Sequence, residues 1–179
     1  MNEQRAPGIG AIAAKYGLIA GVLLFAAFLA MFLTRIQSGW VATAVTAVLL
    51  IVLMVLAHRE FKRTQGGMMT YGQGLGSGTL LAAVAALVRC VLLYVYVQFI
   101  NTGYFAVAVR AEQAALEQRG ITGEHARHAM AFTASILTPV GLVVVSLITG
   151  VIGGFIVALI VSAFTQNSES ASYGARPPG

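Results

Sequence analysis

Aspartate is missing from this 179-residue chain, and glutamate occurs only six times. Charged residues of both signs make up 9% of the sequence, against about a quarter in an ordinary soluble domain. Such a chain has too little polar surface to cover a water-soluble globule. Cysteine is almost as scarce. Cys90 stands alone, so no intrachain disulfide can form and the redox compartment stays open. A Ser-His-Asp set is impossible without Asp, although Glu could substitute, and Cys90 has no His on a neighbouring apolar stretch to activate it. All six acids, Glu3, Glu60, Glu112, Glu117, Glu124 and Glu169, lie outside the apolar stretches, which removes the paired intramembrane carboxylates of proton relays and cation carriers. The inventory points away from an enzyme and away from any cofactor.

What the chain has in quantity is oil. It is 58% hydrophobic with a mean hydropathy of +0.84. Four apolar stretches, residues 16–34, 40–57, 74–100 and 138–164, are each long enough to cross a hydrocarbon core of about 30 Å at about 1.5 Å per residue. Lipid offers no partner for backbone amides, and the stretches lack the alternation of a barrel strand, so they are predicted as helices. A cleaved signal peptide is a weaker reading of the first: the run is longer than an ordinary h-region, and "TRIQSGW" follows without a small-x-small cleavage site. The expected fold class is therefore all-α, a polytopic membrane protein with one four-helix transmembrane domain over residues 1–165.

Lys and Arg among the short loops set the expected orientation. Arg59, Lys62 and Arg63 follow the second stretch, whereas "TRIQSGW" on the other side holds only Arg35. That places both termini in the cytoplasm, and Arg5, Lys15 and Arg176 agree. Arg110, Arg119 and Arg127 pull the other way. Net charge is +5, but the basic residues flank the membrane, so nucleic acid is not needed to explain them. Between the third and fourth stretches, residues 103–132 read as an extracytoplasmic amphipathic helical hairpin. Tyr104, Val107, Ala108, Ala111 and Ala115 recur at helical spacing, Gly120 supplies a stop, and Thr122 is placed to cap a second helix. Thr138 and Pro139 form an N-cap and first-turn pair for the fourth span. The tail, 166–179, is rich in Ser, Pro and Gly and is expected to be disordered.

Small residues recur at every fourth position in two spans. The third carries Gly74, Gly78, Ala82, Ala86 and Cys90; the fourth carries Ser146, Gly150, Gly154, Ala158 and Ser162. In lipid such ridges let backbones approach and gain dispersion contacts. Spans three and four are thus the first choice for a tight pair, and Gly17 and Gly21 give span one a shorter ridge. The same pattern would equally serve dimerisation. "TYGQGLGSGT" invites a nucleotide reading, but its glycines match neither dinucleotide nor P-loop spacing, and no strand precedes them.

Arg89 stands inside the third span. A central Arg costs about 2.5–3.5 kcal/mol on insertion scales, and each Leu, Ile, Val or Phe returns about 0.3–0.6. Twelve of those types lie between Leu80 and Ile100, so the span inserts regardless. At about 100° per residue Arg89 falls within the arc of small residues and points inward, with Tyr96 two turns along the same face. Candidate partners are the hydroxyls of Thr43, Thr46, Ser146, Thr149 and Tyr96, free carbonyls, water, a lipid phosphate or an acid of another chain. Because helical side chains lean toward the N-terminus, Arg89 is expected to reach toward the cytoplasmic leaflet. A snorkelling arginine, an anion or lipid-headgroup site formed with Tyr96, and interchain pairing all remain open. His125, His128 and Glu124 could approach a metal from one short helix, but no further ligand is at hand, and a solvated face is the simpler account.

Several local phrases, Lys15-Tyr16-Gly17, Thr70-Tyr71-Gly72-Gln73, and Tyr94, Tyr96, Phe99, Ile100 and Asn101, together with the charged hairpin and glycine-bearing last span, resemble the four-span bacterial inner-membrane family called domain of unknown function 4199. The likeness runs from about residue 10 to 165. It departs at Gly76, where a basic residue would be expected, and associates no arginine with position 89. The resemblance implies architecture and a bacterial inner membrane, without an activity. The leading functional expectation is a non-enzymatic scaffold or accessory subunit, in the bilayer as a homo-oligomer or with a membrane partner protein, whose small-residue faces bind helices. The alternative is a binder or carrier of small anions or lipid headgroups centred on Arg89.

Overall fold

The computed structural model describes residues 8–34, 38–64 and 66–166. Of the tail 166–179 only Gln166 is among them, and Arg5, Arg35 and Arg176 also lie outside the described residues. The described chain is helical throughout, with no strand: α1 (Ile9–Leu33), α2 (Gly39–Thr64), α3 (Tyr71–Val95), α4 (Tyr104–Gln118), α5 (Gly123–Ile136) and α6 (Pro139–Thr165). A π-helical turn, Tyr96–Ile100, prolongs α3. The helices α1, α2, α3 with its π-turn, and α6 are long and apolar enough to cross a bilayer, which makes this a multi-pass membrane protein.

Two helices outrun their apolar stretches. α1 starts at Ile9 rather than near 16, and α2 continues to Thr64 rather than stopping near 57. In α2 the added turns carry Lys, Arg and Glu, which are good helix formers, so the backbone stays helical past the oily slab. The added turns of α1 are instead largely apolar and bury Ile12 and Ala13 in the bundle. α3 begins at a capping box: Thr70 Oγ1 accepts from the Gln73 amide (3.3 Å) while Gln73 Oε1 accepts from the Thr70 amide (3.0 Å). The "TYGQ" phrase thus has a mechanical role. Thr138 caps α6 by accepting from Gly141 N (3.0 Å), with Pro139 in the first turn. Thr122 occupies the N-cap position of α5 without a capping bond, because the chain enters that helix through Gly123 at φ 68°. α4 ends where Gly120 turns left-handed (φ 70°) and the Ile121 amide closes on Leu116 O at 3.0 Å.

α3 lies between α1 and α6, and α2 closes the bundle against α1 and α6 with little contact to α3. The α3–α6 contact is a ladder of small residues. Gly74 faces Ser162, Gly78 faces Ala158, Gly150 faces Ala86, and Gly154 meets Ala82 so closely that a Cβ on the glycine would overlap the alanine methyl. α1 uses the same device on the opposite side of α3. A Cβ at Gly17 would lie 2.7 Å from Val84 Cβ, and one at Gly21 would lie 2.9 Å from Ala85 O. Close backbones of this kind supply the dispersion that apolar burial cannot supply in lipid. Leu81 and Met54 are completely enclosed between these contacts. α4 packs on α5 as a helical pair joining α3 to α6.

Candidate functional site: a cavity around Arg89

Where α2 stands away from α3, all four spans line an open-sided pocket of about 510 Å³, at which Thr43 and Thr149 are exposed. Its position follows from the ladder: α3 and α6 are held tightly by small residues, so the residual space falls between that pair and α2. Five polar residues reach it, Thr43 and Thr46 from α2, Arg89 from α3, and Ser146 and Thr149 from α6. The rest of the wall is Ala, Gly, Leu and Val, including Leu50, Ala82, Ala86, Gly150, Gly154 and Val157. It is an apolar chamber with a charged, hydroxylated end, and its volume lies within the roughly 300–1,000 Å³ of ligand sites.

Among the described residues Arg89 has no hydrogen bond and no ion pair. Thr43 donates to Gly39 O within its own helix (2.9 Å), whereas Thr46, Ser146 and Thr149 make no hydrogen bond with a described residue. Three hydroxyl donors and a guanidinium therefore surround one space, with no carboxylate to answer them. Position 89 falls in the C-terminal half of the span Tyr71–Ile100. The Arg89 charge is felt at Tyr104, beyond the span, where burial raises the phenol's pKa and the guanidinium partly offsets that rise.

Tyr96 is not part of the cavity wall. Its ring packs edge-on against Phe25 (6.1 Å), Phe28 (6.4 Å) and Phe32 (6.3 Å) of α1, and its hydroxyl accepts from Asn101 Nδ2 at 3.3 Å. Tyr104 joins the same cluster through Phe28 and Phe32. The π-turn, closed by Asn101 N on Tyr96 O at 2.8 Å, sits at this cluster. Of the small-residue positions, Ala82, Ala86, Ser146, Gly150 and Gly154 both line the cavity and, Ser146 apart, form the ladder. Gly74, Gly78 and Ala158 belong to the ladder alone. Glu124, His125 and His128 are exposed on α5, and no group of three or more His, Cys, Asp or Glu with metal-holding geometry occurs among the described residues.

Two polar clusters escape a linear reading. His58, 1% exposed, bridges three helices: Nε2 donates to Gly74 O (3.1 Å) on α3, and Nδ1 lies 2.8 Å from Thr165 Oγ1 on α6. Gly74 O can only accept, so Nε2 carries a proton. A neutral ring then accepts the Thr165 hydroxyl proton, and an imidazolium donates to Thr165, which turns to Val161 O at 2.8 Å. At the same end of the bundle, Lys15 Nζ donates to both Glu60 oxygens (3.0 Å each), and the Tyr16 hydroxyl donates to Oε2 (2.7 Å). A sequence signal existed for the second cluster alone, since Glu60 is the one acid beside a span end that two span-one residues could reach.

A family model described as "Protein of unknown function (DUF4199)" matches residues 15–167. No curated protein and no solved structure matches the chain.

Proposed function

The chain belongs to the DUF4199 family, whose description carries no activity, and from the geometry of the cavity we propose that the protein binds a small amphiphilic anion within the membrane, with Arg89 as counter-charge. The observation that carries this reading is a guanidinium with no partner among the described residues, opening on a chamber lined by Thr43, Thr46, Ser146 and Thr149. A guanidinium fork grips a carboxylate or phosphate through two parallel hydrogen bonds. Free hydroxyl donors complete the oxygens' coordination, and the Ala, Gly, Leu and Val wall takes an aliphatic portion. Binding or transport is non-enzymatic on this reading: the wall carries hydroxyls but no His, Cys, Asp or Glu to activate one.

The alternative, a scaffold that binds partner helices through small-residue faces, draws less support. Gly17, Gly21, Gly74, Gly78, Gly150 and Gly154 all spend their close approach inside the protomer. Charge distribution supports cytoplasmic termini with α4 and α5 outside, because Arg59, Lys62 and Arg63 lie together in the last turns of α2. No feature calls for nucleic acid, and none calls for a homo-oligomer or a partner protein.

The test is binding of a single-chain carboxylate (decanoate) and a single-chain phosphate (decyl phosphate) to the detergent-purified chain, by calorimetry, against decyl alcohol. Arg89→Gln removes the charge and shortens the side chain while keeping a hydrogen-bonding group. The expected result is binding of the two anions but not the alcohol, weakened at least ten-fold in Arg89→Gln with an unchanged melting midpoint. Equal binding by the variant would refute the proposal.

A further inference from the structure

An open surface groove of about 580 Å³ lies at the other end of α2 from the Arg89 chamber, lined by Tyr16, Leu56, Arg59, Glu60, Arg63 and Thr64. Five of these come from one face of α2, spaced three or four residues apart, and Tyr16 comes from α1. The carboxylate in its wall is already answered: Lys15 holds both oxygens of Glu60, and the Tyr16 hydroxyl holds one of them. Arg59 and Arg63 are exposed and have no hydrogen bond or ion pair with any described residue. Arg63 also attracts the Glu60 carboxylate through space, so two guanidiniums without a hydrogen-bond partner stand one turn apart beside an acid that Lys15 and Tyr16 already hold.

We infer that this pocket is a binding site for the phosphate of an anionic phospholipid, separate from the Arg89 chamber and not dependent on it. Residues four apart on a helix present their side chains about 5–6 Å from each other at Cβ, so two arginine forks can converge on one tetrahedral phosphate. Tyr16 marks the depth at which headgroups sit, because an amphipathic ring prefers that level. Below it Leu56, 41% exposed, continues the same wall into the apolar part of the span, where an acyl chain would lie. A soluble phosphate satisfies the guanidiniums equally well but leaves the Leu56 wall uncovered, which favours the lipid. Without the Lys15 and Tyr16 contacts, Glu60 would repel the phosphate. Their function in the site is to neutralise that acid while leaving Arg59 and Arg63 to the ligand.

Native mass spectrometry of the full chain in detergent, titrated with phosphatidylglycerol or phosphatidylcholine, tests the assignment. The wild type should retain phosphatidylglycerol at least five-fold more tightly than phosphatidylcholine. Arg59→Gln with Arg63→Gln should abolish that preference, and the corresponding Lys pair should keep most of it. Arg89→Gln should leave it unchanged, which separates this site from the chamber. Undiminished phosphatidylglycerol retention in the double Gln variant, with an unaltered melting midpoint, would overturn the proposal. Displacement of the lipid by millimolar inorganic phosphate would overturn the lipid assignment in favour of a soluble anion.

Discussion

Gly153 and Gly154 are adjacent in α6 yet face different surroundings, and that difference can be measured. A methyl at Gly153 meets nothing within 4 Å, whereas a methyl at Gly154 overlaps that of Ala82 across the α3–α6 ladder. Replacing either glycine with alanine gains about 0.5–1 kcal/mol of helix propensity. At Gly154 the gain is opposed by overpacking, worth about 1–3 kcal/mol when a tight contact must open. The expected outcome is a Gly153→Ala protein that is as stable as the wild type or slightly more so, and a Gly154→Ala protein destabilised by roughly 0.5–2 kcal/mol, the difference of those two effects. Reversible unfolding in mixed micelles, followed by far-ultraviolet circular dichroism, reads both. Ala82→Gly removes the methyl that Gly154→Ala would strike, so the double variant should recover most of the loss, a coupling that a double-mutant cycle isolates. If Gly154→Ala is tolerated as well as Gly153→Ala, or if Ala82→Gly brings no recovery, the ladder does not set the distance between α3 and α6.

Other positions yield sharp expectations. His58→Leu removes bonds to two helices and should cost about 1–3 kcal/mol, with Thr165→Val costing about half as much in the same unfolding assay, whereas two unchanged midpoints would deny the bridge any role. Thr70→Ala breaks the capping box and should cost about 0.5–2 kcal/mol. Thr122→Ala, at a cap position without a cap bond, should stay within about 0.5 kcal/mol of the wild type.

How much of this was visible in one dimension depends on the range of the interaction. Apolar length and the cost of unpaired amides in lipid are local, so the four spans and their helical state follow directly from "YGLIAGVLLFAAFLAMFL" and its three counterparts. A four-residue period is local too, and Gly74, Gly78, Ala82 and Ala86 share a face before any partner is known. Capping at Thr138 is legible for the same reason. The box at Thr70 carried an equally plain Thr-x-x-Gln signature, masked by the attention that its glycines draw. Helices extend past the apolar stretches because the hydrogen-bond ladder need not end where hydropathy does. Long-range pairings were out of reach: His58 meets groups 16 and 107 residues away, and Lys15 meets Glu60 across 45. For Arg89, period and chemistry named the hydroxyls of Thr43, Thr46, Ser146 and Thr149 as neighbours. They could not say that these would stand around a space instead of closing on the guanidinium, since that depends on how far α2 lies from α3. Tyr96 shows the complementary limit. Shared angle on a helical wheel does not fix shared surroundings when the phenyl rings of α1 sit one turn above the chamber.

The order of synthesis gives the chamber's four-helix wall a further consequence. Arg89 leaves the ribosome well before Ser146 and Thr149, so the nascent third helix enters the bilayer with its cation facing an unfinished enclosure. Until the last helix arrives, only Thr43 and Thr46 and whatever water or lipid follows them can solvate it. Biogenesis therefore passes through a stage in which the third helix is inserted but its cation is only partly surrounded. A chain truncated before α6 should slip or be cleared by quality-control proteases, even though each of its three segments is oily enough to insert.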